Sequence, residues 1–319
     1  MKRQAIFIGG CERSGTTMLG SYLGKHPDLL VTPESQFKLE LMRYTTEDGT
    51  IDLEQAMSYL RKEYRLSSWK ISLDELATQL AGDSRIGYHE LIEHIQDQYE
   101  EKHQPGETRF WVDHTPNNMR NGLRLNSLFP DAKFIHIVRD GRGVANSYRH
   151  VTWAPYETYF SAKDWVSKVG HGLALGHRLG PDKLLVTRYE DLLEDPQSEM
   201  SRICSFLGLN YDEWAAGKER FKVPDFSKKQ HALVGKGLKK GNHNRWREGL
   251  SERDIRIFES ITKDFLPCLG YNLLYSPSLQ GISLGDKIVS GLREAVHIVQ
   301  IRGQRMKRRW RRRHQRAGQ

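Results

Sequence analysis

What the sequence lacks narrows the possibilities first. Only three of its 319 residues are cysteine. Cys11, Cys204 and Cys268 are widely spaced and odd in number, so they make neither a disulfide framework nor a zinc site. A reducing, cytoplasmic setting is therefore expected. No run of about twenty apolar residues occurs, which excludes a hydrophobic membrane-spanning helix. Met1-Lys2-Arg3-Gln4 leads straight into an apolar segment, leaving no room for a cleaved secretory leader. Histidine, cysteine and carboxylates never gather at metal-ligand spacing, so no metal is expected.

Charge is the next restriction. The formal net charge is +9, which alone would suggest a nucleic-acid partner. Its distribution argues against that. Arg302, Arg305, Lys307, Arg308, Arg309, Arg311, Arg312, Arg313 and Arg316 follow one another with no acidic residue among them and account for the whole excess. The body is close to neutral, and the basicity belongs to a tail. A hydrophobic content of 38% and a charged content of 28% suit a globular chain of one large or two modest domains.

The stretch Ala5-Ile-Phe-Ile-Gly-Gly-Cys-Glu-Arg-Ser-Gly-Thr-Thr-Met18 organises the rest. Ala5 to Ile8 form an apolar run bounded by Gly9 and Gly10, as in a strand buried on both faces. Met18, Leu19, Tyr22 and Leu23 then recur at helical spacing. The loop between them, capped by Ser14, Thr16 and Thr17, would aim backbone N–H groups at a ligand above the helix N-terminus, a geometry that binds phosphate. Gly10-x-x-x-x-Gly15 has the spacing of a nucleotide-phosphate loop, but Thr16 stands where an NTPase carries lysine. ATP or GTP hydrolysis is then a poor fit, and a polar turn without a ligand is the plainer alternative.

Further apolar strands are predicted in Leu29-Leu-Val-Thr-Pro-Glu-Ser35, where a short strand runs into a loop, and at Arg109–Asp113, Lys133–Val138 and Lys183–Thr187. Helices follow from Leu123, from about Val144, and over Met200 to Leu207. Alternation of this kind indicates an α/β fold, a P-loop-like parallel sheet with helices on both faces. Ligands of such sheets bind beyond the carboxyl ends of the strands. Here those ends carry Arg13/Ser14, Asp113/His114, Arg139/Asp140 and Arg188/Tyr189. Residues from about 37 to 107 read as a helical insert, with Leu53, Met57, Leu60 and Tyr64 at helical intervals. It either covers the site or serves as a packing layer.

Taken together, these residues resemble the sulfotransferase superfamily that uses 3′-phosphoadenosine 5′-phosphosulfate (PAPS), in particular its bacterial branch related to tyrosylprotein and carbohydrate sulfotransferases. Gly9-Gly-Cys-Glu-Arg-Ser-Gly-Thr-Thr17 is similar to that family's 5′-phosphosulfate loop. Phe134-Ile-His-Ile-Val-Arg-Asp-Gly-Arg-Gly-Val-Ala-Asn-Ser147 resembles its 3′-phosphate signature. Val186–Leu192 with Pro196, Phe206-Leu-Gly208, Asn244-Arg-Trp-Arg247 and Leu269-Gly-Tyr271 resemble further family stretches. The likeness spans roughly residues 4 to 275, leaving 276–319 as an amphipathic helix and polybasic tail.

The resemblance implies transfer of a sulfonate from PAPS, without a metal, to a hydroxyl on a carbohydrate, glycolipid or other metabolite. Arg13, Ser14, Gly15, Thr16 and Thr17 would hold the 5′ side of the donor. Arg139 and Ser147 would hold the 3′-phosphate, with Tyr189, Arg245 and Trp246 adding to the nucleotide site. An arginine fork suits a phosphate in a way lysine cannot copy. Glu34, in Thr32-Pro-Glu-Ser-Gln36, matches the family's acidic residue and would be the general base; alternatively it is a helix N-terminal carboxylate. His114 stands where many relatives carry lysine. It could serve only when protonated or as a neutral N–H donor, or it is simply structural. Asp140-Gly replaces the commoner Asp-Pro and should loosen that turn. The run Gly235-Lys-Gly-Leu-Lys-Lys-Gly241 falls where the family has a mobile segment that closes over the nucleotide. With no luminal anchor in view, a bacterial cytoplasmic enzyme is expected.

The tail lies outside the resemblance. Leu284, Ile288, Leu292, Ala295, Val296 and Val299 recur at helical spacing ahead of the arginines and Trp310. An anionic membrane surface, RNA, or solvent alone could face it. Nucleic acid is the weaker partner, because Trp310 is the only aromatic among the charges. Two rival functions stand beside the transferase. A P-loop kinase would need a loop lysine and an acidic magnesium site, for which Asp113 is the one candidate. A non-enzymatic protein would act through its basic tail on membrane or RNA.

Overall fold

The computed structural model describes residues 3–82, 84–104, 106–218, 220–221, 242–275 and 281–317, with the side chains of 242–243 and 304–317 excepted. The expected closing segment at 235–241 lies outside the described residues, as do the arginine side chains beyond 303. The chain forms two compact units: 1–138 with 168–239, and 139–167 with 240–319.

The first unit is built on five strands, β1 (Gln4–Gly9), β2 (Leu29–Val31), β5 (Phe110–Asp113), β6 (Lys133–Val138) and β7 (Leu184–Arg188). They pair in the order β2-β5-β1-β6-β7, every pair parallel. Two short strands, β3 (Thr50–Asp52) and β4 (Arg85–Gly87), pair antiparallel within the insert. Helices α1 (Thr16–Leu23), α2 (Gln36–Leu41), α3 (Leu53–Leu60), α4 (Leu73–Gln79), α5 (Tyr88–His103) and α6 (Gly122–Leu128) belong to this unit. In chain order there follow α7 (Gly141–Tyr148), α8 (Thr158–Leu179), α9 (Tyr189–Glu194), α10 (Pro196–Leu207) and α11 (Tyr211–Ala216). The last are α12 (Trp246–Gly249), α13 (Glu252–Ile261), α14 (Phe265–Cys268) and α15 (Leu284–Ala317).

Alternation along the strands divides the core in two. Ala5, Phe7, Leu30, Trp111 and Phe134 face one way and pack with Phe37, Leu39, Leu60, Trp69, Tyr88 and Leu125. Ile6, Ile8, Val31, Val112, Ile135 and Ile137 face the other way, against Leu19, Leu23, Leu192, Met200, Ile203 and Trp214. Apolar side chains on both faces are what a fully covered parallel sheet requires. The α/β expectation, with helices on both faces, holds. Residues of the insert supply much of the first core cluster. Tyr64 falls outside α3, opens a 3-10 helix and is 72% exposed.

In the second unit, α7 starts at Gly141, three residues earlier than the apolar pattern suggests. Asp140 caps it, accepting a 2.9 Å hydrogen bond from the Arg142 N–H. The Asp-Gly turn is braced rather than loosened, contrary to expectation. A Cβ on Gly141 would lie 2.7 Å from the Trp165 ring and within collision distance of Phe258. Buried Arg142 ties Asp140 to Glu259 (2.5 Å) and to the Asn272 carbonyl (3.0 Å). The polar face of α15 is hydrogen-bonded to residues 156 and 157, which draws both into one unit. Among the described residues no helix is long and apolar enough to cross a membrane.

Candidate active site

Parallel pairing puts the carboxyl ends of β1, β5, β6 and β7 on one edge of the sheet. The strand order reverses about β1, and such a reversal opens a crevice for ligands. Out of β1 runs the loop 10–15. The Gly10 N–H donates to the Pro116 carbonyl at 3.0 Å and Ser14 N–H to Cys11 at 3.1 Å, which folds the loop tightly. Arg13 takes the left-handed conformation (φ 69°) and Gly15 likewise (φ 100°). The expected side-chain caps are not made: Gly15 is the N-cap of α1 and no side chain bonds to it. The N-terminal N–H groups of α1 are thereby left to a ligand. Ser14 is fully buried and its hydroxyl has no partner among the described residues. Buried polar groups are rarely left so, and an anion seated in the loop would satisfy it.

Tyr189, at the end of β7, packs on this loop: a Cβ at Gly15 would lie 2.7 Å from its ring. Gly15→Ala would therefore meet both a steric clash and a positive φ, each costing about 1–3 kcal/mol. We expect a clear fall in thermal midpoint; an unchanged midpoint would mean that the loop is not held by Tyr189.

Glu34 lies between β2 and α2, partly exposed, with no hydrogen bond or ion pair among the described residues. Burial raises its pKa from 4.5 to about 7; Asp113 adds to the rise, while Arg65 and Arg13 oppose it. A carboxylate that titrates near neutrality and lies within the electrostatic reach of Arg13 is suited to accept a proton.

Behind Glu34 is a buried polar network that the sequence does not single out. Asp113 accepts from the Ser35 N–H (3.3 Å) and hydroxyl, from Thr115 N–H (3.0 Å) and from Asn118 (2.7 Å). Lys38 is wholly buried, 2.7 Å from Asn118 Oδ1 and 3.6 Å from Asp113 Oδ1. Burial alone would raise the Asp113 pKa; Lys38 and the hydrogen bonds reverse that and hold it below the usual value. Burial also pulls Lys38 down, to about 8, against the opposing pull of Asp113. Both Asp113 oxygens are engaged, so it is a poor magnesium ligand and the kinase rival loses its one acidic candidate. Of its members only Asp113 stands out in the sequence, at a strand end; for the rest the signal is a lysine four residues beyond Glu34 on the apolar face of α2.

His114 is buried beneath α1. A Cβ on Gly20 would lie 2.8 Å from its ring, which meets Phe221 edge-on at 5.3 Å. Burial lowers its pKa, although Asp113 opposes the shift. That shift favours the neutral imidazole over the protonated one. Neither ring nitrogen has a close hydrogen-bond partner among the described residues.

The second unit holds the other candidates. Arg139 follows β6 directly; its carbonyl accepts from Trp165 Nε1 at 3.1 Å, and a Cβ on Gly143 would lie 3.2 Å from its Nε. Ser147 is on α7 and partly exposed. Arg245 is exposed. Trp246 is 2% exposed, with the Arg142 guanidinium 4.1 Å and that of Arg247 4.7 Å from its ring centre. It packs this unit together rather than presenting an open platform.

Residues 5–213 match the model of the sulfotransferase family. A protein-tyrosine sulfotransferase of Drosophila melanogaster is 27% identical over 223 residues, covering 68% of this chain but 40% of that protein. Protein-tyrosine sulfotransferase A of Caenorhabditis elegans is 26% identical over 306 residues, 92% of this chain and 73% of its own. The sulfotransferase domain of the Synechococcus PCC 7002 olefin synthase shares the fold, with a TM-score of 0.59 at 23% identity over 86% of this chain and 97% of its own. The family match covers more than half of the chain and takes in loop 10–15, Glu34, Arg139 and all of the parallel sheet but Gln4, so this chain belongs to the sulfotransferase family.

Proposed function

We propose that the protein transfers a sulfonate from PAPS to an acceptor hydroxyl, with Glu34 as general base. The observation that carries this reading is Glu34 itself, a carboxylate titrating at about 7 within the electrostatic reach of Arg13. PAPS would supply an activated sulfonate on a phosphate leaving group. The unpartnered Ser14 hydroxyl and the uncapped N-terminus of α1 fit its 5′ side. Ser14, Gly15, Thr16 and Thr17 bind there, and Arg13 offers its charge to the transferring group. Arg139 and Ser147 hold the 3′-phosphate, Tyr189 props the loop, and Arg245 adds charge near the nucleotide. Trp246 acts by packing under Arg142, and His114 donates at most a neutral N–H. No residue in this scheme requires a metal.

For the acceptor we retain a carbohydrate, glycolipid or other metabolite in a bacterial cytoplasm. The curated relatives are by name protein-tyrosine sulfotransferases, which makes the phenol of tyrosine the second acceptor to test. Calorimetry with 3′-phosphoadenosine 5′-phosphate against ADP tests the donor. We expect the bisphosphate alone to bind, and Arg139→Ala to weaken it roughly 10- to 100-fold, the value of a charge-assisted pair. Equal or tighter binding of ADP would sink the reading. Turnover of glycans, glycolipids and tyrosine peptides would then rank the acceptors.

A further inference from the structure

Helix α15 presents its faces in the reverse of the usual order. An amphipathic helix on a globular body normally turns its apolar stripe inward. Here Leu284 (73% exposed), Ile288, Leu292 (63%), Ala295, Val296 and Val299 (68%) lie on the outward face. The inward face is polar. Glu294 accepts hydrogen bonds from the Tyr156 and Glu157 N–H groups at 3.1 and 2.8 Å. His297 stacks on Tyr156 at 4.3 Å, Asp286 accepts from Arg253 at 2.9 Å, and Ser290 is fully buried.

This arrangement has an electrostatic consequence. Asp286 and Glu294 are the only acidic residues between 284 and 319, and both are spent on inward contacts. The outward side carries an apolar stripe flanked by exposed Lys287, Arg293 and Arg302. The same helix then continues through the polybasic sequence and Trp310 to Ala317.

We propose that α15 is an in-plane docking surface for an anionic lipid bilayer. The stripe enters the acyl boundary while the basic half pairs with acidic headgroups. Trp310 belongs to a residue type that favours the interface. A second copy of the chain is a worse occupant. Parallel pairing of two such helices sets polybasic halves side by side, and antiparallel pairing over their full length lays each apolar half against a basic one. An RNA partner would match the charges but leave the stripe in water.

The test is co-sedimentation of the full chain with vesicles of phosphatidylcholine alone or with phosphatidylserine. The variants are Ile288→Asp/Leu292→Asp and Arg308→Glu/Arg309→Glu/Arg311→Glu/Arg312→Glu. Both sets lie far from the candidate active-site residues in sequence, and Ile288 and Leu292 are already exposed, so folding and nucleotide binding should be unchanged. We expect binding only to the anionic vesicles, weakened at high salt, and reduced at least about tenfold by either variant. Failure of the native chain to bind anionic vesicles would overturn the proposal. So would binding that survives the double aspartate variant, since charge alone would then explain it. A dimer or an RNA complex that accounts for α15 without vesicle binding would overturn it equally. None of these readouts depends on turnover, so the donor reading stands or falls separately.

Discussion

Glu34→Gln is expected to lower turnover by roughly 10²- to 10⁴-fold, the range a general base contributes, while leaving binding of 3′-phosphoadenosine 5′-phosphate intact. In the native protein the proposed sulfonate transfer should speed up with pH through about 7, as the carboxyl loses its proton. A second readout is independent of catalysis. The folded-state pKa is raised above 4.5, so the folded protein holds this proton more tightly than the unfolded chain does. The stability this contributes is fully present below about pH 4.5 and is lost as pH rises through about 7. Glu34→Gln should therefore gain thermal midpoint over the native protein at pH 8 and show no gain at pH 4.5. A variant that keeps its turnover would remove Glu34 from the chemistry. A variant without the pH-dependent gain would mean that the carboxyl is solvated.

Lys38→Met should produce the largest loss of stability. It removes the cation facing a fully buried aspartate and also the 2.7 Å bond to Asn118. Breaking one side of a buried pair costs about 3–5 kcal/mol. For a unit of about 210 residues (1–138 with 168–239), at roughly 2–4 °C per kcal/mol, the thermal midpoint should fall by about 10 °C. Asp113→Asn in the same chain should recover part of the loss, because no uncompensated charge then remains. A midpoint shift below about 2 °C would contradict the pairing. Ser35 adjoins Glu34 and bonds to Asp113, so the single variant should also lower turnover at temperatures where it remains folded.

Much of the fold was legible because its signals are local. Residues 5–8, 110–113 and 133–138 are apolar runs in which both faces are buried, and buried parallel strands cannot be written otherwise. The loop was legible for a similar reason. Gly10 and Gly15 mark places where the backbone makes close approaches, to Ile137 and Tyr189 respectively, and an anion site needs few other side chains.

The site's supporting residues were not legible, because they act across long sequence separations. Lys38 and Asp113 are 75 positions apart, and nothing local distinguishes this lysine from a solvated one. The state of His114 depended on Gly20 and Phe221 closing over its ring. The bracing of the Asp140-Gly turn depended on Trp165, Glu259 and Phe258. Periodicity identified α15 as amphipathic but not which side it buries. That was decided by Glu294, Asp286 and Ser290 finding partners at Tyr156, Glu157 and Arg253, contacts that no pattern within the helix encodes. Sequence by itself determined the five strands of the parallel sheet, the glycine-bearing loop after the first of them and the family, since backbone chemistry and strand burial leave local marks. Tertiary structure alone decided which way burial shifts Glu34 and His114, the pairing of Lys38 and the outward face of α15, because burial and long-range partners set each of them.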